Sequence, residues 1–286
     1  MGFQAATTVD EALRMLGDLG AEARVIAGGS DVMVQQMVGE LSSSETLVHV
    51  GRIPELRGVS HSDGVIRIGA VTTHRDLRSD RTIEKYLPSF AVAAATVGGW
   101  QTQEVGTIGG NLCNASPAAD LGPPVLMAEA TLVLSSTGGE RRVPASDFFL
   151  GRRQTALEPG MLLTAIEVPQ PPDGSWETYL KVGRRSAMEV AIVGLAARFV
   201  LVDGVVSDAR LAFCSVAPVP VRVSEAEAAL VGTPLDDEAI TAASELAGSA
   251  VNPIDDQRAT ASYRTTLVSR LVRSAAEACR STLGVE

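Results

Sequence analysis

Residues 25–32 read Val25-Ile26-Ala27-Gly28-Gly29-Ser30-Asp31-Val32, and residues 107–111 read Thr107-Ile108-Gly109-Gly110-Asn111, followed by Ala115-Ser116-Pro117 and Asp120. In the first stretch a short buried strand runs into two glycines and then into a helix start. Glycine lets the backbone turn sharply and approach a ligand with no Cβ in the way. Backbone N–H groups at a helix N-terminus suit an anion such as pyrophosphate, and those donors carry no net charge. Taken alone, the stretch is equally a plain strand–turn–helix connection. The second stretch adds hydroxyl, amide and carboxylate groups to its paired glycines. Asp120 is placed either to accept hydrogen bonds from ribose or ribityl hydroxyls or to cap a helix beginning at Leu121. Neither stretch is the G-x-G-x-x-G of a Rossmann strand–helix turn or the G-x-x-x-x-G-K-[ST] of a P-loop. Two separate Gly-Gly loops point to a ligand long enough to be gripped twice, and a dinucleotide fits that description.

Around the first loop the pattern alternates helix and strand. Thr8 and Glu11 form the T-x-x-E of a capping box. Ala12, Leu13, Leu16 and Leu19 recur at helical spacing, and Gly20 closes the helix. Residues 23–27 read as a strand, Ser30 or Asp31 as the cap of a second helix with Val34, Met37 and Val38 on its apolar positions, and residues 46–50 as another strand. That order predicts a small parallel sheet. Further on, residues 65–68 alternate as a half-buried strand does. An Ala-rich helix is expected over 83–97, with Pro88 near its start. Residues 98–120 read as a long functional loop. Strands are expected over 131–134, 141–143 and 163–168. The Pro- and Gly-rich stretch 169–176 reads as a domain boundary. Beyond it come strands over 178–182, 191–202 and 209–215, with Asp203-Gly204 as a hairpin turn. Helices over 224–231, 237–248 and 260–283 end the chain. This second part reads as an antiparallel sheet with helices on one face.

Composition narrows the function. The chain has 286 residues, 45% of them apolar, and a formal net charge of −10. An acidic surface is repelled by nucleic-acid phosphates and anionic lipid, so neither is an expected partner. No apolar run reaches the ~20 residues of a membrane span. The first residues lack a secretory or twin-arginine pattern, which makes the cytoplasm the expected location. The three cysteines, Cys113, Cys214 and Cys279, are dispersed, as are His49, His61 and His74. An iron–sulfur cluster takes four Cys ligands and a structural zinc about four clustered ones, so no metal site is expected in this chain.

The two loops, A-G-G-S-D-V and T-I-G-G-N-L-x-x-A-S-P-x-x-D, closely resemble the flavin loops of the FAD-binding medium subunits of the xanthine dehydrogenase and carbon monoxide dehydrogenase (molybdenum hydroxylase) family. Lys181-Val182-Gly183-Arg184-Arg185 with Ala191-Ile192-Val193 resembles the family's Lys-x-x-Arg-Arg segment. The stretches 213–218 with 220–222, and 255–260 with 262–264, resemble its C-terminal signatures, so the likeness runs in order along nearly the whole chain. It implies an α+β fold: a two-lobed FAD-binding domain of the vanillyl-alcohol-oxidase (PCMH) type over 1–172, with lobes at about 1–55 and 56–172, then an α+β C-terminal domain of the CO dehydrogenase flavoprotein type over 177–286.

The resemblance also implies a site. One non-covalent FAD would touch Arg24, Val25, Ile26, Ala27, Gly28, Gly29, Ser30, Asp31 and Val32 in the first loop. In the second it would touch Gly106, Thr107, Gly109, Gly110, Asn111, Cys113, Ala119 and Asp120. Val97, Gly98 and Thr102 lie just upstream. Leu162 or Leu163 and Lys181 would approach from the lobe edge and the C-terminal domain. No side chain is expected to act as general acid or base. A large subunit would hold a molybdopterin cofactor, a small one [2Fe–2S] clusters, and electrons would leave to an external acceptor; a dimer of such heterotrimers is the implied assembly. No Cys-rich insertion is seen, which disfavours a 4-hydroxybenzoyl-CoA reductase. Ser30 stands where carbon monoxide dehydrogenases usually have His. Two other readings fit the same residues: a self-sufficient reductase of the same fold, and a flavin-free scaffold subunit.

Overall fold

The computed structural model describes residues 1–284. The chain opens with β1 (Gly2–Ala5), which the sequence reading missed because all four residues are exposed and show no alternation. Thr8 then caps α1 (Val9–Leu19), accepting the Glu11 N–H at 3.2 Å. The Glu11 carboxylate reaches back one residue further than a capping box requires, to the N–H and hydroxyl of Thr7 at 2.7 and 2.8 Å. α1 buries Ala12, Leu13 and Leu16, and Gly20 ends it at φ 55°. β2 (Ala23–Ile26), α2 (Ser30–Met37) and β3 (Thr46–His49) follow. The strands form a parallel sheet in the order β1-β3-β2. One expectation fails here. Val34, Met37 and Val38 do not face a core but are 56%, 85% and 64% exposed.

The second lobe runs through β4 (Val59–Ser62), β5 (Val65–Gly69), α3 (His74–Ser79), α4 (Arg81–Tyr86), α5 (Pro88–Thr96), α6 (Trp100–Val105), α7 (Ile108–Asn114), α8 (Gly122–Met127), β6 (Thr131–Ser136), β7 (Gly139–Pro144), α9 (Ala145–Phe148), β8 (Phe149–Gly151), β9 (Gln154–Thr155) and β10 (Leu162–Pro169). Its main sheet is antiparallel, ordered β4-β5-β10-β6-β7. The single helix expected over 83–97 is two. Pro88 has no N–H to donate and its ring pushes Leu87 out of helical backbone, to φ −134° and ψ 52°. Residues 98–120, expected as a loop, hold α6 and α7. Their glycines concealed them, because glycine is a poor helix former and these helices depend on neighbouring backbone.

The last part comprises β11 (Ser175–Val182), β12 (Val193–Val202), β13 (Val205–Cys214), β14 (Val221–Arg222), α10 (Ser224–Leu230), α11 (Asp237–Ser249) and α12 (Ala261–Leu283). The four strands pair antiparallel in chain order. Asp203 and Gly204 turn β12 into β13 with φ of 51° and 78°, both left-handed as a two-residue type I′ turn requires. Alternation splits this sheet's side chains. Leu195, Ala197, Phe199, Leu211 and Phe213 join the core beneath α10, α11 and α12. Tyr179, Ala196 and Ala212 join the core of the second lobe. The sheet therefore has covered faces on both sides, not helices on one side alone: α5 and α8 pack on the face opposite the terminal helices. Gly194 leaves room on this face for the Tyr179 hydroxyl and the Cys214 sulfur, which a Cβ would overlap.

α12 is anchored at its start by Arg264, whose buried guanidinium donates to the Ile192 and Ser215 carbonyls and, at 2.7 Å, to Asp256. Burial works to raise the Asp256 carboxyl, but the Arg258 and Ala259 N–H groups and Arg264 outweigh it and hold it at about 2, below its ordinary 3.8. A lowered folded-state value means that this stabilisation is complete above the ordinary value and is lost as pH falls through about 2. Discounted for solvent screening it amounts to about 1 kcal/mol. Asp256→Asn should melt earlier than wild type near neutral pH and lose less stability on acidification, read by thermal melts across pH. Equal acid sensitivity of the two proteins would contradict this.

Candidate cofactor site

The first glycine loop leaves β2 at Ile26. Gly29, at φ 76°, is the cap residue of α2 and supplies no side chain, so the first-turn N–H groups of α2 have no side-chain cap. Ser30 and Asp31, expected as possible caps, lie inside the helix instead. Gly28 is needed for a different reason. A Cβ there would overlap the Val105 carbonyl, so the first loop rests backbone to backbone on the turn after α6. Arg24 donates to Glu45 at 3.1 Å. Val25, Ala27 and Val32 are half-buried.

The second loop is held rigidly from behind. Gly106 accepts from His74 N–H at 3.0 Å, Ile108 N–H donates to Thr72 O at 3.0 Å, and Gly109 N–H donates to Ala70 O at 2.8 Å. Gly109 has no room for a Cβ, which would sit 2.6 Å from the Ala70 carbonyl oxygen. The Thr107 hydroxyl caps α7 by accepting Gly110 N–H at 3.0 Å. Gly110 itself is exposed, and a Cβ on it would meet only that hydroxyl, 3.0 Å away. Asn111 accepts the Leu121 N–H through its side-chain oxygen at 3.3 Å. Cys113 is half-buried and burial pushes its thiol up to about 12. The two loops are bridged by Asn114, which donates to Asp31 at 3.1 Å and accepts from Gln35 at 3.3 Å.

Upstream, Val97 and Gly98 turn from α5 into α6. Gly98 has φ 54°, and a Cβ there would press on the Thr102 side chain at 2.9 Å. This turn is held by Gln103, a residue the sequence reading passed over. Its buried amide donates to the Ala95 and Val97 carbonyls at 2.9 and 3.1 Å and accepts from Arg78 at 2.9 Å. His74 was also passed over. It packs beside Gly106, and burial lowers its imidazole to about 4, so the ring is neutral.

Asp120 and Lys181 meet at 2.9 Å, both almost fully buried. The same ammonium donates to Thr96 O at 2.9 Å, and Tyr179 OH donates to the other Asp120 oxygen at 2.8 Å. Asp120 therefore does not cap α8, which has no side-chain cap. Desolvation raises the Asp120 carboxyl, with Lys181 and Tyr179 pulling it down. Burial, then Asp120, raises the Tyr179 phenol. Ala119 is buried beside this pair in sequence. Leu162 and Leu163 are both core residues, one in the first-lobe core and one in the second.

The residues present fit a dinucleotide. Uncapped N–H groups at the start of α2 suit a pyrophosphate, and Gly110, four residues before the Asn114 that bonds Asp31, leaves space that a Cβ would fill. Residues 1–171 match the family model of the FAD-binding domain in molybdopterin dehydrogenase, and residues 178–279 match that of the CO dehydrogenase flavoprotein C-terminal domain. The chain belongs to this family of FAD-binding oxidoreductase subunits. Among such flavoprotein subunits, the chain is 33% identical to the carbon monoxide dehydrogenase medium chain of Hydrogenophaga pseudoflava, over 96% of each chain. It is also 33% identical to the xanthine dehydrogenase FAD-binding subunit of Escherichia coli O157:H7, over 95% of this chain and 93% of that one. Its fold superposes on a carbon monoxide dehydrogenase structure from Hydrogenophaga pseudoflava with a TM-score of 0.94 at 34% identity, covering 98% and 97% of the two chains. It superposes on quinoline 2-oxidoreductase from Pseudomonas putida 86 with a TM-score of 0.92 at 27% identity, covering 99% and 97%. The fold is thus the mixed helix and antiparallel-sheet architecture of this flavoprotein family.

Removing one partner of a buried ion pair leaves the other charge uncompensated. Lys181→Met should destabilise the protein by about 3 kcal/mol, read as a lower urea midpoint at unchanged slope. Lys181→Met with a wild-type midpoint would show that Asp120 does not depend on the ammonium.

Proposed function

We propose that this chain binds one FAD non-covalently between its two glycine loops and passes electrons from a partner subunit's [2Fe–2S] clusters to an external acceptor. A large subunit carrying the molybdopterin cofactor would perform the substrate chemistry. On this reading a dimer of heterotrimers works in the cytoplasm, and the chain divides into a FAD-binding domain over 1–172 and a C-terminal domain over 177–286. Bound FAD supplies exchange between two-electron and one-electron chemistry.

The observation that carries this reading is the uncapped α2 N-terminus, tied by the Asn114 bridge to the α7 helix that carries the bare Gly110. Residues 24–32 would hold the pyrophosphate side of the ligand. Gly106, Thr107, Gly109, Gly110, Asn111 and Cys113 would form the opposite wall. Val97, Gly98 and Thr102 would border the isoalloxazine, with Ala119, Asp120, Leu162 or Leu163, and Lys181 behind it. The α7 glycine loop spends its first N–H groups on the protein, so its role would be shape and rigidity more than charge. The relatives, among them a carbon monoxide dehydrogenase medium chain, support the assignment to a multi-subunit dehydrogenase.

Gly110 gives a clean test because its backbone is helical and its missing Cβ faces only the Thr107 hydroxyl. Gly110→Val should fold and melt within a few degrees of wild type but purify with little FAD. A folded Gly110→Val protein that stays fully yellow would place the cofactor elsewhere.

A further inference from the structure

An exposed patch assembled from three segments surrounds the turn at Gly98 and Gly99. Trp100, the first residue of α6, is 68% exposed, and the Arg78 guanidinium lies over its ring at 4.5 Å. Arg78 also donates to Gln103 and, among the described residues, pairs with no carboxylate. On the other side of the turn stands Met188, from the loop between β11 and β12. Its N–H donates to Gly98 O at 3.3 Å, and it is 64% exposed. Arg185 donates to the Met188 carbonyl at 2.7 Å. Arg184 and Arg185, their side chains 56% and 66% exposed, share one carboxylate, that of Glu189, which is 6% exposed. What reaches solvent is therefore guanidinium and apolar side chain, with the balancing charge hidden behind. This is a cationic face on a chain of net charge −10.

Trp, Arg and Met are the residue types enriched at the centres of protein interfaces. Opposite charge across such a face steers encounter and fixes orientation. We propose that this patch docks the acidic face of a small one-electron carrier protein that serves as the external acceptor. The inference rests on the flavin reading of the adjacent Gly98 turn, since that turn would put the carrier beside the isoalloxazine. Two electrons would leave the reduced flavin, one to each of two successive carrier molecules, and two protons would pass to solvent. The patch itself contributes binding and orientation.

The test is binding of the purified full chain to two probes, an acidic blue-copper protein and a basic c-type cytochrome, by titration calorimetry at low and raised ionic strength. The acidic probe should bind and the basic one should not, and the affinity should fall with salt. Trp100→Ser and Arg184→Gln should each weaken binding about tenfold while the melting temperature and FAD content stay unchanged. Because Trp100 and Arg184 lie on separate segments, one failing to fold leaves the other as a test. Equal binding of both probes, or folded variants that bind as wild type, would overturn the proposal. So would loss of acidic-probe binding once the chain is assembled with its partner subunits, which would make the patch a subunit interface. A colourless chain that still binds the acidic probe would fault the flavin reading alone. A yellow chain that does not bind it would fault the docking site alone.

Discussion

The backbone of Gly28 lies against the carbonyl of Val105 with no space for a side chain between them. This contact brings the loop of the parallel three-stranded lobe onto the loop of the antiparallel lobe. The Asn114 bridge to Asp31 and Gln35 and the Arg153–Glu40 pair at 2.7 Å reinforce it. The glycines of the two loops are thus not equivalent. Gly28, Gly106 and Gly109 are required by protein packing, whereas Gly29 gives the helix an uncapped start and Gly110 leaves open space. A motif that looks like one ligand-binding signature is in part a signature of how two lobes close on each other.

β11 carries the C-terminal domain's side of the same geometry. Glu177, Tyr179 and Lys181 alternate onto the face that meets the FAD-binding domain. Glu177 takes the Ser89 hydroxyl at 2.6 Å near the start of α5 and the guanidinium of Arg198 beside it. Lys181 takes the Thr96 carbonyl at the end of α5. Both ends of α5 are therefore fixed by one strand, and the Val97–Gly98 turn that follows inherits its position. Placement of the proposed flavin border depends on a domain that contributes few residues to it.

The first lobe was largely legible because its signals are local: the Thr8 cap, the spacing of Leu13 and Leu16, and the Gly20 stop. The Asp203-Gly204 hairpin was legible for the same reason. The α6–α7 segment was not, because it is held by the Ala70 and Thr72 carbonyls and the His74 N–H, far off in sequence. The burial of Glu177, Tyr179 and Lys181 was equally hidden. Polar residues at every second position read as a solvent face until a second domain covers them. The candidate loop residues stand out in the sequence by their glycines and by family likeness. Gln103, Tyr179 and Thr96 were missed because they act through hydrogen bonds between segments, which leave no local pattern. The exposed apolar side of α2 was misread in the opposite sense, since spacing alone does not say whether a core lies opposite.

On the proposed function, the paired glycine loops of this chain hold a dinucleotide flavin. The most direct measurement is the cofactor released by heat from the purified chain, identified and counted against protein. About one FAD per chain is expected, released without proteolysis because it is bound non-covalently. A colourless chain that also takes up no added FAD would contradict it.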